Sequence, residues 1–194
     1  MDEQTNQKPP NNILNKKVLL TIFGIIILAE IIWAGWVFYK GQTPKSQQII
    51  RQAKPTEIIL RTDREQVKVG DEFSVAIAIT SDKETDGADL IINYNSKLLS
   101  ASPTALTSIY NDYPVNKVDA IVGKITVSGI STGTSGIVPN GLFGTITFKA
   151  LAPGQAAITL DFVPSSTVDT NVIEKDSGKD VLESVKNLNI VITP

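Results

Sequence analysis

Residues 18 to 39 read VLLTIFGIIILAEIIWAGWVFY, a continuous apolar run broken only by Thr21 and Glu30, with no polar face recurring through it. At about 1.5 Å per residue such a helix reaches roughly 33 Å, enough for a bilayer core. The pattern predicts one transmembrane helix over 18–39, with Trp33, Trp36 and Tyr39 at the headgroup level of its far end. The run exceeds the apolar region of a signal peptide and no A-x-A site follows it, so it reads as an uncleaved signal anchor.

From residue 56 onward the period changes to two. Phe73, Val75, Ile77 and Ile79 alternate with Ser and Ala, which places them on one face of a half-buried strand. The alternation recurs in Leu90, Ile92 and Tyr94; in Ile125 and Val127; in Leu142, Ile146 and Phe148; in Ile158, Leu160 and Phe162; and in Leu188, Ile190 and Ile192. Ile58 to Leu60 and segments near Leu98 and Val115 complete a set of nine short strands. Turn residues separate them, at Gly70-Asp71, Gly87, Gly123, Pro139-Asn140-Gly141 and Pro153-Gly154. Short strands at this spacing predict an all-β fold, a nine-stranded β-sandwich over 56–194. Thr107 to Tyr110 reads as a single helical turn between strands.

The flanking segments carry no period. Residues 1–17 are polar, contain Pro9 and Pro10, and read as a disordered cytoplasmic tail; residues 40–55, Gln-rich with four cations, read as a basic linker with one helical turn around Ile49 and Ile50. Net charge runs from +1 in the tail to −1 in the span, +4 over 40–54 and −6 over the rest. Cations flank the span on both sides, so charge does not set the orientation. The long domain after the span and the short tail before it favour a single-pass protein at the cell membrane with the C-terminal domain extracellular. Glu30, mid-span, is read either as a protonated carboxyl carried by the anchor or as a contact for helix association on the face of Ala34. The second alternative makes the chain an anchored structural subunit of a surface assembly.

Composition removes whole classes of chemistry. Of 194 residues none is Cys or His, so disulfides, thiol nucleophiles, a Ser-His-Asp triad and ordinary zinc sites are excluded. No basic stripe interleaved with aromatics offers a nucleic-acid surface in the β domain. Gly129-Ile-Ser131-Thr-Gly133 matches the spacing of a nucleophile elbow, but a loop follows it where a helix is required, so Ser131 reads as a turn residue and the chain as non-catalytic. The polar loop from Asp161 to Asp180 supplies Asp169, Asn171, Asp176 and Asp180 as candidate ligands of a structural calcium ion, without the spacing of an EF-hand. With both tryptophans in the span, Tyr110 and Tyr113 are the remaining aromatic platform for a glycan.

The ordered strands VKVGDEFSVAIAIT, GADLIINYNSKLLSAS, GKITVSGIST and NGLFGTITFKALAPGQAAITLDF resemble the cohesin modules of cellulosome scaffoldins and related prokaryotic surface proteins. The resemblance covers about residues 56 to 193 and rests on their order, above all the YN-x-x-L step and the GTITFKA strand. It implies a nine-stranded jelly roll, similar to that of carbohydrate-binding modules, and a sheet face that binds a calcium-loaded dockerin helix pair. Carried onto this chain, that face comprises Ile91, Asn93 and Asn95 from the strand Asp89–Asn95, Lys124, Thr126, Ser128 and Ile130 from Lys124–Ile130, and Ala157, Thr159 and Asp161 from Ala156–Phe162. The expected function is therefore membrane-anchored docking or adhesion to a protein partner, dockerin-like. The alternative on the same sandwich is carbohydrate binding that attaches the cell to polysaccharide.

Overall fold

A computed structural model describes residues 16–41 and 54–194. Most of the expected tail and linker, with the turn around Ile49 and Ile50, lies outside the described residues. The helix and the β domain are separate compact units. Helix α1 (Lys16–Gly41) contains the apolar segment Val18–Lys40, long and apolar enough to cross a membrane. Near its end the Lys40 ammonium sits 4.0 Å from the centre of the Trp36 ring, a cation–π contact at the polar boundary of the segment.

The β domain is built from β1 (Glu57–Arg61), β2 (Gln66–Lys68), β3 (Glu72–Thr80), β4 (Thr85–Tyr94), β5 (Leu99–Ala101), β6 (Ala105–Leu106), β7 (Asp112–Asp119), β8 (Lys124–Ile130), β9 (Asn140–Ala150), β10 (Gly154–Leu160), β11 (Asn171–Glu174), β12 (Ser184–Lys186) and β13 (Leu188–Thr193). They form two sheets. One has the order β12-β1-β3-β9-β5, with β6 also on β9; the other has the order β2-β13-β10-β4-β8-β7, with β11 also on β4. The pairs β1·β12 and β13·β2 are parallel and the rest antiparallel. This is the expected all-β sandwich. All nine expected strands are present; the four additional ones, β2, β6, β11 and β12, are two to four residues long, too short for alternation to show in the sequence.

Alternation places the core. Phe73, Val75, Ile77 and Ile79 of β3 face Leu90, Ile92, Tyr94, Ile125, Val127, Ile158 and Ile190 of the other sheet, all buried. Phe148 stacks on Phe73 at 5.7 Å and meets the Tyr94 ring edge-on at 5.5 Å, an aromatic cluster bridging the sheets. Gly123 closes the β7–β8 turn at φ 74°, where a side chain would strike the Tyr94 carbonyl.

Two expectations are corrected. In β9 the inward residue is Phe143, fully buried, and Leu142 is exposed. The cause is a bulge: Ile77 pairs with Gly144 and Ala78 with Leu142, so Phe143 is the extra residue and the parity of the strand reverses there. Thr107 to Tyr110 forms bends and no helical turn. The Thr107 amide donates across to the Phe143 carbonyl at 3.0 Å, which spends it on the neighbouring strand.

Candidate partner-binding face

The outer face of the seven-stranded sheet is set by register. Cross-strand pairing aligns Asp89 with Ser128, Ile91 with Thr126 and Asn93 with Lys124, and on the other side of β4 aligns Asn93 with Thr159. Residues directly opposite share a face, so Ile91, Asn93, Lys124, Thr126, Ser128 and Thr159 come together on one surface. Ala157 lies outward on β10 beside Asn189 of β13, and Val115 and Lys117 of β7 extend the surface past β8.

Two residues carried over from the resemblance stand apart from the rows. Asn95 lies beyond the end of β4; its Oδ1 accepts a hydrogen bond from the Lys97 amide at 3.0 Å, and its carbonyl accepts from Leu98 and Leu99. It is a turn-forming side chain, because an Asx turn satisfies the backbone where the strand stops. Asp161 lies just past β10, where its amide donates to the Ile91 carbonyl at 2.8 Å.

Ile130 closes β8 and borders a shallow concavity of about 210 Å³ that the sequence did not single out. Its floor is Gly87 and Gly129, its apolar sides are Ile130 and Ile173 of β11, and Asp86 and Asp89 contribute carboxylates. Asp89 has the same parity as Ile91 and Asn93, so alternation alone identifies it as outward. Ile173 had no such signal, since β11 reaches β4 from eighty residues downstream. Lys175 steadies this end of the sheet: its ammonium donates to the Thr134 carbonyl at 2.6 Å and lies 3.9 Å from Asp86. Close by, the Glu174 carboxyl is held below its ordinary range by the Ser177 hydroxyl, with Lys83 at 3.7 Å adding to it.

The tyrosine pair packs at the end of the sandwich. Tyr110 is only 2% exposed; its hydroxyl is 2.9 Å from Thr85 Oγ1, and its ring meets Phe143 edge-on. Tyr113 also meets the Phe143 ring edge-on at 5.5 Å and accepts the Tyr110 amide on its hydroxyl. Both rings press on Gly129, where a Cβ would come within 2.8 and 2.9 Å of them. The first glycine of the elbow-like motif thus serves ring packing, and Ser131 turns the chain, donating from its hydroxyl to the Ser135 carbonyl. Tyr110 is therefore no platform for a sugar, because stacking on a pyranose needs an open ring face, while Tyr113 is half-buried.

Among the described residues no three Asp or Glu side chains converge as metal ligands. Of the four calcium candidates, Asp176 is exposed in a turn at φ 62°, 3.9 Å from Lys175. Asp169, Asn171 and Asp180 are drawn into the structure instead.

The two packed sheets define a β-sandwich module. The cohesin-domain profile matches residues 59–186, and the chain belongs to the cohesin family. No curated protein matches the sequence. Among solved structures, a type II cohesin domain from the cellulosome of Acetivibrio cellulolyticus is similar at TM-score 0.58 and 18% identity, covering 71% of this chain and 95% of that one. A cohesin in a type I cohesin–dockerin complex from Clostridium thermocellum is similar at TM-score 0.58 and 19% identity, covering 72% and 100%. The cohesin module of a family 33 glycoside hydrolase from Clostridium perfringens gives TM-score 0.54 and 17% identity, covering 72% and 97%. At these identities the likeness is one of fold.

Proposed function

We propose that this chain is a membrane-anchored, non-catalytic docking module that binds a dockerin-like protein on the outer face of its seven-stranded sheet. The observation that carries this is the alignment of Asp89, Ile91, Asn93, Lys124, Thr126, Ser128 and Thr159 on one open face. Small hydroxyls and amides there hydrogen-bond a partner helix without large desolvation, and Ile91 supplies an apolar centre. Membership of the cohesin family supports the choice of partner class. The segment Val18–Lys40 supports the anchor, with the β domain on the extracellular side.

The test is binding of the full chain in detergent to a panel of dockerins, with soluble glucans and xylans alongside. Saturable binding to a dockerin that is lost in Ile91→Asp supports the proposal. Binding to a polysaccharide alone replaces it with the carbohydrate-binding alternative, and binding to neither overturns the assignment of partner class. Protease added to intact cells should remove the β domain and spare the N-terminal tail. Protection of the β domain would reverse the orientation.

A further inference from the structure

Among the buried side-chain oxygens and nitrogens of the described residues, five make no hydrogen bond, and three of these, Asp169 Oδ1, Asn171 Oδ1 and Asp180 Oδ2, fall between residues 169 and 180. Asp169 is 6% exposed and Asn171 3%. A buried acceptor without a donor is costly, and two of the three belong to carboxylates. Such a concentration in one stretch requires a physical reason.

The local folding shows how these atoms come to be left over. After β10 the chain leaves the edge of β4, runs out through 161–170, and returns to the same strand as β11, where Asn171 pairs with Asp89. Thr170 pins the return: its amide donates to the Asp161 carbonyl at 2.8 Å, and its hydroxyl lies 3.0 Å from the Ile91 amide. Asp169 spends Oδ2 on the Val163 amide. Asn171 donates from Nδ2 to the Asp169 carbonyl at 3.1 Å and to the Thr167 carbonyl at 3.5 Å, which fixes the amide so that its oxygen is the atom left over. Asp180 spends Oδ1 on the amides of Val172, the residue after Asn171, and Leu182, each at 3.0 Å. Each side chain is locked by the backbone through one atom and left with one acceptor.

We propose that Asp169, Asn171 and Asp180 bind a calcium ion through these three oxygens and that the ion fastens the 161–170 loop to β11. The donor set is all oxygen, two carboxylates and one amide. That suits a hard cation taking six to eight ligands, with backbone carbonyls and water completing the shell, and lacks the nitrogen and sulfur donors that zinc and copper favour. Calcium also accepts irregular geometry, whereas magnesium demands a near-ideal octahedron.

The experiment follows thermal unfolding of the β domain in the full chain, in detergent, with calcium chloride or with chelator, and titrates calcium by calorimetry. One calcium per chain is expected, with a rise in Tm of about 5 °C or more at a hundredfold excess over Kd. Asp169→Asn and Asp180→Asn should abolish the calcium response. In chelator they should melt no lower than the native chain, since each removes a buried charge lacking a counterion. Asn171→Asp, which adds a third carboxylate, should melt lower in chelator and respond more strongly to calcium. Equal melting of the native chain in calcium and chelator overturns the site. So does an equal response to magnesium, or a calcium response that survives both Asp→Asn changes.

Discussion

Gly87 of β4 lies so close to Gly129 of β8 that a Cβ added to Gly87 would stand 2.8 Å from the Gly129 carbonyl oxygen. The floor of the concavity is therefore backbone on both strands, and no side chain larger than hydrogen fits at Gly87 without moving a sheet hydrogen-bond partner. Gly→Ala in a strand ordinarily gains a few tenths of a kcal/mol from the unfolded chain. Here the steric term wins, and Gly87→Ala should lower stability by about 1–3 kcal/mol, the usual cost of overpacking. Denaturant unfolding measures it; an unchanged midpoint would show that β4 and β8 can separate at this point.

Parity on β4 makes a paired prediction. Ile92 is fully buried among the core residues, whereas Ile91 lies partly exposed beside Thr126 on the opposite face. Ile92→Asp places a carboxylate in the core without a partner and should prevent folding. Ile91→Asp should keep the melting temperature within a few degrees. At a dockerin interface the same change should cost more than about 2 kcal/mol, a loss of roughly thirtyfold in affinity, because an unpaired charge would be desolvated there. Circular dichroism melts and calorimetric binding separate the two effects. Unfolding by both changes would mean that each face of β4 is covered.

The bulge in β9 predicts a similar contrast. Phe143→Ala should cost about 3–5 kcal/mol, since Phe143 is fully buried and its ring meets both Tyr110 and Tyr113, and Leu142→Ala less than about 1 kcal/mol, with Leu142 at 44% exposure. Urea midpoints of the two variants give the comparison. If Leu142→Ala is the more damaging, the bulge lies elsewhere along the strand.

The same bulge marks where the sequence stops being legible. Periodicity of two locates a strand and its buried face as long as the strand is regular, as in Phe73 to Ile79, all four of whose alternate residues are buried. One inserted residue reverses the parity without altering composition, and only the pairing of Ile77 with Gly144 reveals it. On the open face, alternation sufficed for Ile91, Thr126 and Ser128, and Asp89 lay within its reach. Asn95 is exposed but lies one residue past the strand, because an Asx turn ends β4 where the alternation still runs on. Asp86 and Ile173 entered the concavity through a pairing between distant segments, which local pattern does not encode. The packing of Tyr110 and Tyr113 was hidden for a related reason: an aromatic residue just before a strand or at its start looks alike whether it packs inward or outward until Gly129 is seen beneath both rings.

The Tyr110 hydroxyl gives the β domain a defined response to base. Burial is the main cause that pushes its pKa up, to about 12, with Tyr113 and Asp86 adding to it and the hydrogen bond to Thr85 opposing. The folded-state value exceeds that of the unfolded chain, near 10, so the neutral phenol is favoured by folding. Its contribution is fully present below pH 10, where both states are protonated, and is lost as pH rises through 12, where the unfolded chain ionises first. Two units correspond to about 3 kcal/mol. Tyr94, raised by burial and by Asp119, acts in the same direction. Tyr110→Phe should cost about 1 kcal/mol at pH 7 for the lost hydrogen bond, with Thr85 still donating to the Ile137 carbonyl at 2.9 Å. Between pH 10 and 12 the variant should lose stability less steeply than the native chain, leaving the share due to Tyr94. Denaturant midpoints measured across that range test this. Parallel curves for the two proteins would show that the Tyr110 hydroxyl ionises as readily in the folded chain as in the unfolded one.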